Sequence, residues 1–172
     1  MPMASPLRVN TAELLRRPGT EKSIDAVVTP DDLQLHDDRF DPSGPVRIGL
    51  HLESLTDGVV VRGSVEVDWS GTCRRCATPV AGHLVCEVDE LYQEVVTDAE
   101  AFELVGEQLD LVPMVREIVV LDAPLSPLCR PDCAGLCPHC GIDRNAEKCE
   151  CVPVESDHRW AALEEFKQSF ES

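Results

Sequence analysis

A chain of 172 residues with 15 Lys and Arg against 32 Asp and Glu carries a formal charge of −17, and is long enough for one domain with a hydrophobic core or for a domain plus a small metal-bound appendage. That charge excludes a free RNA binder that uses its whole surface, because nucleic-acid affinity begins with cations neutralising phosphates; it suits solubility or a basic protein partner. No stretch approaches the ~20 apolar residues of a membrane helix, and Met1 to Gly19 lacks a signal-peptide apolar run, so a cytoplasmic location with reduced thiols is expected.

In chain order, Pro6 to Val9 reads as an edge strand, and Asn10 can cap a short helical turn with Glu13 at the capping-box position. Leu14 and Leu15 sit on that turn, and Pro18-Gly19 stop it. Arg16 and Arg17 fit a solvated helix end, favoured by the helix dipole. From Thr20 to Pro45 the mixture of Asp, Pro and Gly reads as a long loop with one short strand at Ala26 to Val28. Val46, Ile48, Leu50 and Leu52 then alternate with polar or small residues at the period of a half-buried strand. Asp57-Gly58 turns the chain, and Val59 to Trp69 returns with Val61, Gly63, Val65, Val67 and Trp69 on one face. A third extended run, Val80 to Tyr92, puts Leu84, Cys86 and Val88 on one side, so that Cys86 is a small buried apolar residue.

Thr97 to Glu107 reads as an acidic loop. Asp110 caps a helix that tolerates Pro113 in its first turn and carries Leu111, Met114, Val115, Ile118 and Leu121 as a core-facing stripe. Pro124 and Pro127 end it. A last helix is expected from Asp157, with Trp160, Leu163, Phe166 and Phe170 recurring at helical spacing; docking back on the sheet is preferred for it over carrying a partner surface.

Six of the nine cysteines fall between Cys129 and Cys151. Cys137-Pro138-His139-Cys140-Gly141 has the form of a zinc knuckle, whose Gly lets both sulfurs face one point. Zinc takes four ligands, so a second pair must come from Cys149 and Cys151 or from Cys129 and Cys133. Four thiolates fill the shell and leave no position for an activated water, which makes the site structural rather than catalytic. A disulfide framework or inert buried thiols are the alternatives, and a reducing cytoplasm favours metal. His139 lies inside the knuckle and His158 beyond it, both poorly placed as ligands.

Cys73-Arg74-Arg75-Cys76 is a second C-x-x-C, at the end of a hairpin. It has three readings: a half-site for a second zinc that pairs with Cys129 and Cys133, a redox motif, or a turn that presents Arg74 and Arg75 to phosphate or to an acidic partner. The redox reading calls for a helix N-terminus and a βαβ setting, which hairpin-connected strands do not offer. No phosphate-binding glycine loop, nucleophile elbow or H-E-x-x-H occurs, so no enzymatic activity and no small-molecule substrate are expected.

The ordered set Cys73-x-Arg75-Cys76, the helix from Asp110 to Leu121, Pro124 through Cys129, Asp132-Cys133-x-Gly135-Leu136-Cys137-Pro138-x-Cys140-Gly141, Cys149-x-Cys151 and Asp157-x-Arg159-Trp160-Ala161-Ala162-Leu163 resembles the YceD-like family of large ribosomal RNA subunit accumulation proteins. Leu14 to Gly19 also resembles the family's first helix end, whereas the family's Asn-Leu-Asn after the knuckle is here Asp143-Arg144-Asn145. The resemblance implies an α+β fold with a mainly antiparallel sheet, and a non-enzymatic role in the synthesis, processing or accumulation of large-subunit ribosomal RNA. With the elements above, the expected organisation is a core domain over residues 1–122 with packed helices. A C-terminal, zinc-ribbon-like cysteine loop and helix follow over 123–172. The expected partners are pre-ribosomal RNA, met through Arg74 and Arg75, or a basic ribosomal protein. A generic zinc-ribbon adaptor and a thiol oxidoreductase at Cys73 and Cys76 are the rival readings.

Overall fold

Alternation of apolar and polar residues dictates a sheet with one covered face, and a five-stranded sheet is what forms. The structure, a computed structural model, describes residues 6–97, 99–151 and 163. Its elements are β1 (Arg8–Asn10), α1 (Ala12–Leu15), β2 (Glu21–Val28), β3 (Val46–Ser54), β4 (Gly58–Thr72), β5 (Pro79–Gln93), β6 (Phe102–Glu103), β7 (Gln108–Asp110) and α2 (Val112–Asp122). The large sheet runs β2-β3-β4-β5-β6, and β1 pairs with β7 in a separate two-stranded ribbon. All pairings are antiparallel except the short parallel contact of β6 with β5. Among the described residues the chain is mostly sheet with two short helices.

Register puts Ala26, Ile48 and Val65 in line with Cys86, and Ile24, Leu50 and Gly63 in line with Val88. This face is the core. Leu52, Val59, Val61 and Val65 are fully enclosed there, as are Leu111, Met114 and Val115 above them. Each such side chain stabilises the fold by about 1.5–3 kcal/mol relative to exposure. The opposite face carries Asp25, Arg47, Glu53, Arg62, Glu66, Asp68, Glu87 and Asp89, and it is open among the described residues.

Several expectations are corrected here. The segment after Thr20 holds a strand of eight residues, β2, rather than the short strand at Ala26 to Val28, because every residue from Glu21 to Val28 finds a partner on β3. The remainder of that stretch closes the core: Leu33, Leu35 and Phe40 are buried, and Arg39, gripped by Asp37 at 2.7 Å, donates from Nη1 to the Ala123 carbonyl at 2.8 Å. That bond fixes where the chain leaves α2. Secondly, the α2 stripe is rotated from expectation. At 3.6 residues per turn, Val119 and Leu121 lie about 80° to either side of Leu111; Val119 is wholly buried, while Leu121 is 73% exposed and Ile118 half-buried. The helix therefore leans toward its Val119 side. The N-cap is Leu111 rather than the expected Asp110, which stands one residue ahead of it and accepts from Val112 N–H at 3.0 Å. The stretch from Thr97 to Glu107, expected as loop, includes β6. The expected helix from Asp157 lies outside the described residues, apart from Leu163, which is helical and exposed. No helix among the described residues is long and apolar enough to cross a membrane.

Gly63 is the constraint inside the hairpin. Its φ is +146°, and a Cβ there would collide with the Gly49 carbonyl oxygen across the strand pair. Glycine thus lets β3 and β4 approach closely at this point of the ladder. Gly63→Ala is expected to lower stability by about 1–3 kcal/mol in urea unfolding. Gly49→Ala, whose Cβ would have only an ordinary contact at 3.8 Å, should stay within about 0.5 kcal/mol of the parent.

Candidate metal centres

At the far end of the β4–β5 hairpin, the last ladder pair Thr72 and Pro79 leaves six residues to turn, and four of these are Cys73-Arg74-Arg75-Cys76. The Ala77 amide donates to the Cys73 carbonyl at 2.9 Å, the Cys73 amide donates to the Thr78 carbonyl at 2.8 Å, and Ala77 takes a left-handed φ of +60°. The second C-x-x-C repeats this turn bond for bond. The Gly141 amide donates to the Cys137 carbonyl at 2.9 Å, the Cys137 amide to the Ile142 carbonyl at 2.8 Å, and Gly141 has φ +75°. Both motifs are therefore the same knuckle. The first hides its form in the sequence because Ala replaces the expected Gly, at a cost of about 1–2 kcal/mol for the left-handed residue.

Each knuckle meets one further pair of cysteines. Cys73 Sγ lies 3.8 Å from Cys133 Sγ, and Cys76 Sγ 3.6 Å from Cys129 Sγ. In the other cluster Cys149 Sγ lies 3.2 Å from Cys137 Sγ and 3.5 Å from Cys140 Sγ, with Cys151 completing the group. Within each foursome all sulfurs are inside 4.8 Å of one another. Such gaps exceed the ~2.05 Å of a disulfide, and all nine thiols are free. A tetrahedral zinc with Zn–S of about 2.3 Å has S–S edges of about 3.8 Å, close to what the sulfurs already span. The six cysteines from Cys129 to Cys151 thus do not share one site. Cys149 and Cys151 complete the knuckle at Cys137 and Cys140, while Cys129 and Cys133 go to the hairpin tip, and Cys86 stays apart in the core.

Electrostatics of the two clusters also fit a cation. Backbone amides hold one sulfur of each as thiolate: Cys73 falls to about 6, chiefly through the amide of Cys129 with those of Cys76 and Arg75, and Cys137 falls to about 6 through the amides of Cys140 and His139. Crowding does the reverse to its neighbours. Cys129 rises to about 12 through desolvation and the sulfurs around it, and Cys151 rises to about 12 through the nearby Cys149 and Cys140 sulfurs. Four thiolates at these distances require a positive charge at their centre. Either cluster could hold a metal ion.

The clusters differ in shelter. Cys73, Cys76 and Cys133 are buried and pack with Val80 and Leu128, whereas Cys140 and Cys151 are exposed. Arg75, one of the two arginines singled out for partner contact, donates from Nη1 to the Cys133 carbonyl at 2.8 Å. Its own carbonyl accepts from Leu136 N–H at 2.9 Å, and a Cβ on Gly135 would stand 2.9 Å from that same oxygen. Arg75 thus seams the hairpin tip to the loop between the clusters. Arg74 is exposed, anchored through its backbone amide to the Pro127 carbonyl at 3.0 Å. His139 is exposed, and His158 lies outside the described residues. The hairpin tip is no helix N-terminus, and its sulfurs face two further cysteines.

Residues 61–167 match the family model of the large ribosomal RNA subunit accumulation protein YceD, a span that contains every cysteine of both clusters. The chain belongs to the YceD family. An uncharacterized relative from Mycobacterium tuberculosis is 36% identical over 171 residues, covering 95% of this YceD-family chain and 82% of the relative. Another uncharacterized protein, from Mycobacterium leprae, is 29% identical over 81% of this chain and 68% of its own length. The Arabidopsis thaliana protein named large ribosomal RNA subunit accumulation protein YCED homolog 1, chloroplastic, is 27% identical over 64 residues, 37% of this chain and 20% of its own. No solved structure matches the chain.

Sequence reasoning passed over Asn145, whose side chain touches Cys133 Sγ at 3.5 Å, and Thr78, whose hydroxyl lies 3.1 Å from Cys76 Sγ. The Asn at the third position of the segment after the knuckle was the available signal. Burial raises the Cys86 thiol to about 12, with Asp122 adding to the shift. In metal-free, folded protein at pH 8, alkylation read by peptide mass spectrometry should mark exposed Cys140 before Cys151, whose thiol keeps its proton, and leave buried Cys86 unmodified until the chain unfolds.

Proposed function

We propose that this chain is a non-enzymatic, cytoplasmic factor in the accumulation of large-subunit ribosomal RNA and the assembly of its subunit, and that each of its two cysteine foursomes is closed by a structural zinc ion. The observation that carries the ribosomal reading is the family match over residues 61–167, supported by the Arabidopsis relative's name. The zinc reading rests on two all-sulfur foursomes with near-tetrahedral spacing. Soft thiolates in that number suit zinc, and a full shell leaves no open coordination position for a reaction. Cys73, Cys76, Cys129 and Cys133 would hold one ion and Cys137, Cys140, Cys149 and Cys151 the other.

The division into a core over 1–122 and a cysteine-rich part over 123–172 belongs to the same proposal, with one addition: the core lends Cys73 and Cys76 to the second part. The ion at the hairpin tip would then staple the two. For a partner, the open sheet face favours a basic protein. Asp25, Glu53, Glu66, Asp68, Glu87 and Asp89 outnumber Arg47 and Arg62 there, and Arg62 is already paired with Glu53 and Asp89. Exposed Arg74 remains the candidate for a phosphate contact.

Protein purified without chelators should contain about two zinc ions per chain by elemental analysis, and Cys137→Ser should remove about one. Thiolates must be deprotonated to bind, so affinity falls as pH falls and zinc is lost on acidification and retained on the alkaline side. A content below one ion would overturn the zinc reading. Crosslinking in growing cells followed by affinity purification should enrich large-subunit ribosomal RNA or ribosomal proteins. Enrichment of neither would overturn the assembly role, and recovery of unrelated proteins instead would favour an adaptor.

A further inference from the structure

Asn145 belongs by sequence to the outer cluster, between Cys140 and Cys149, yet its side chain serves the inner one. Its Nδ2 donates to Cys133 Sγ at 3.5 Å. Its Oδ1 accepts from Ala134 N–H at 2.7 Å and from Arg130 Nη2 at 2.8 Å. Both ends of the amide are therefore used on the segment that delivers Cys129 and Cys133. The orientation is fixed locally, since Asp143 Oδ1 accepts from Asn145 N–H at 2.9 Å and from Nδ2 at 2.6 Å. Arg144 N–H reaches the Gly135 carbonyl at 3.0 Å, which ties the same loop to the link between Cys133 and Cys137.

We propose that Asn145 is a positioning residue that couples the two metal sites, so that an ion held in the Cys137, Cys140, Cys149, Cys151 foursome raises the affinity of the Cys73, Cys76, Cys129, Cys133 foursome. The inference rests on the metal reading above. Closing the outer site joins Cys140 to Cys149 and so confines the loop that carries Asn145. Confinement presents a formed N–H donor to the Cys133 sulfur. A donor to a ligand sulfur holds it in place for the ion, and partners of this kind orient ligands and set affinity. Linkage makes the effect mutual: an ion in the inner site must raise the outer site's affinity by the same factor.

The test is a zinc titration of the reduced, metal-free full-length chain against a chromophoric chelator, repeated with cobalt to follow its thiolate absorption. Wild type should bind two ions. Asn145→Ala should still bind two, with inner-site affinity weaker by about 10–100-fold. Its outer-site affinity, read in a Cys133→Ser background, should be unchanged. Asn145→Asp keeps the acceptor for Ala134 N–H and Arg130 but turns a carboxylate toward the sulfur. If the donor matters, this variant loses at least as much as alanine. If Asn145 only anchors the loop, Asp restores wild-type binding and the proposal is overturned. Unchanged affinities in Asn145→Ala with two ions bound would overturn the coupling alone, whereas a wild-type chain that binds no zinc would overturn the metal reading and the coupling together.

Discussion

Sulfur convergence at the hairpin tip is the constraint from which the arrangement of this chain follows. Cys73 and Cys76 sit where β4 and β5 run out, more than fifty residues before Cys129 and Cys133 in the sequence, and the side chains meet at 3.6–3.8 Å. Bringing them together requires a long rigid hairpin on one side and a fixed exit from α2 on the other. The fifteen-residue strands β4 and β5 supply the first. Arg39 supplies the second by holding the Ala123 carbonyl. Without a cation, the meeting point is unfavourable: the Cys73 sulfur is drawn toward thiolate by backbone amides while Cys129 beside it is forced to keep its proton. With one, the same crowding becomes a coordination shell.

Repetition of the knuckle explains how one short loop can serve two such points. Each knuckle uses the same pair of backbone hydrogen bonds and the same left-handed residue after its second cysteine, so the local geometry is set by the backbone and not by the side chains between the cysteines. Those intervening residues are then free to differ, Arg74-Arg75 in one and Pro138-His139 in the other. Arg75 uses the freedom to bind across to the Cys133 carbonyl, which ties the hairpin tip to the segment that delivers Cys133.

The sheet was legible because alternation is a strong local signal: β3, β4 and β5 stand where the period-two pattern puts them. β2 was mostly missed because its apolar positions are diluted by Lys22, Ser23 and Asp25, and its pairing is decided by the neighbouring strand rather than by its own pattern. The α2 stripe was read with the wrong tilt, since helical spacing alone allows Val119 or Leu121 to face inward and only the sheet beneath chooses between them. For the cysteines, the two-by-four division was among the readings that spacing allowed. Spacing could not select it, because the partner of Cys73 is fixed by tertiary structure. For Asn145 the sequence offers only its place in the segment after the knuckle, and the cysteine it serves is decided by a contact between two loops.

Charge distribution separates the two ends of the molecule. The open sheet face is acidic and its pairs, such as His83 with Asp68 at 2.7 Å, are exposed and individually worth no more than about 1 kcal/mol; it is a field rather than a set of bonds. Four thiolates around a divalent ion would add net negative charge at the cysteine end, while Arg74, Arg75 and Arg130 offset it locally. At physiological salt, fields decay over about 8 Å, so a polyanion approaching the hairpin tip would meet those arginines before it felt the sheet. A basic partner would be drawn to the sheet face instead. The acidic face and the arginines around the hairpin tip thus lie on different parts of the molecule, and the cysteine clusters lie at the arginine end.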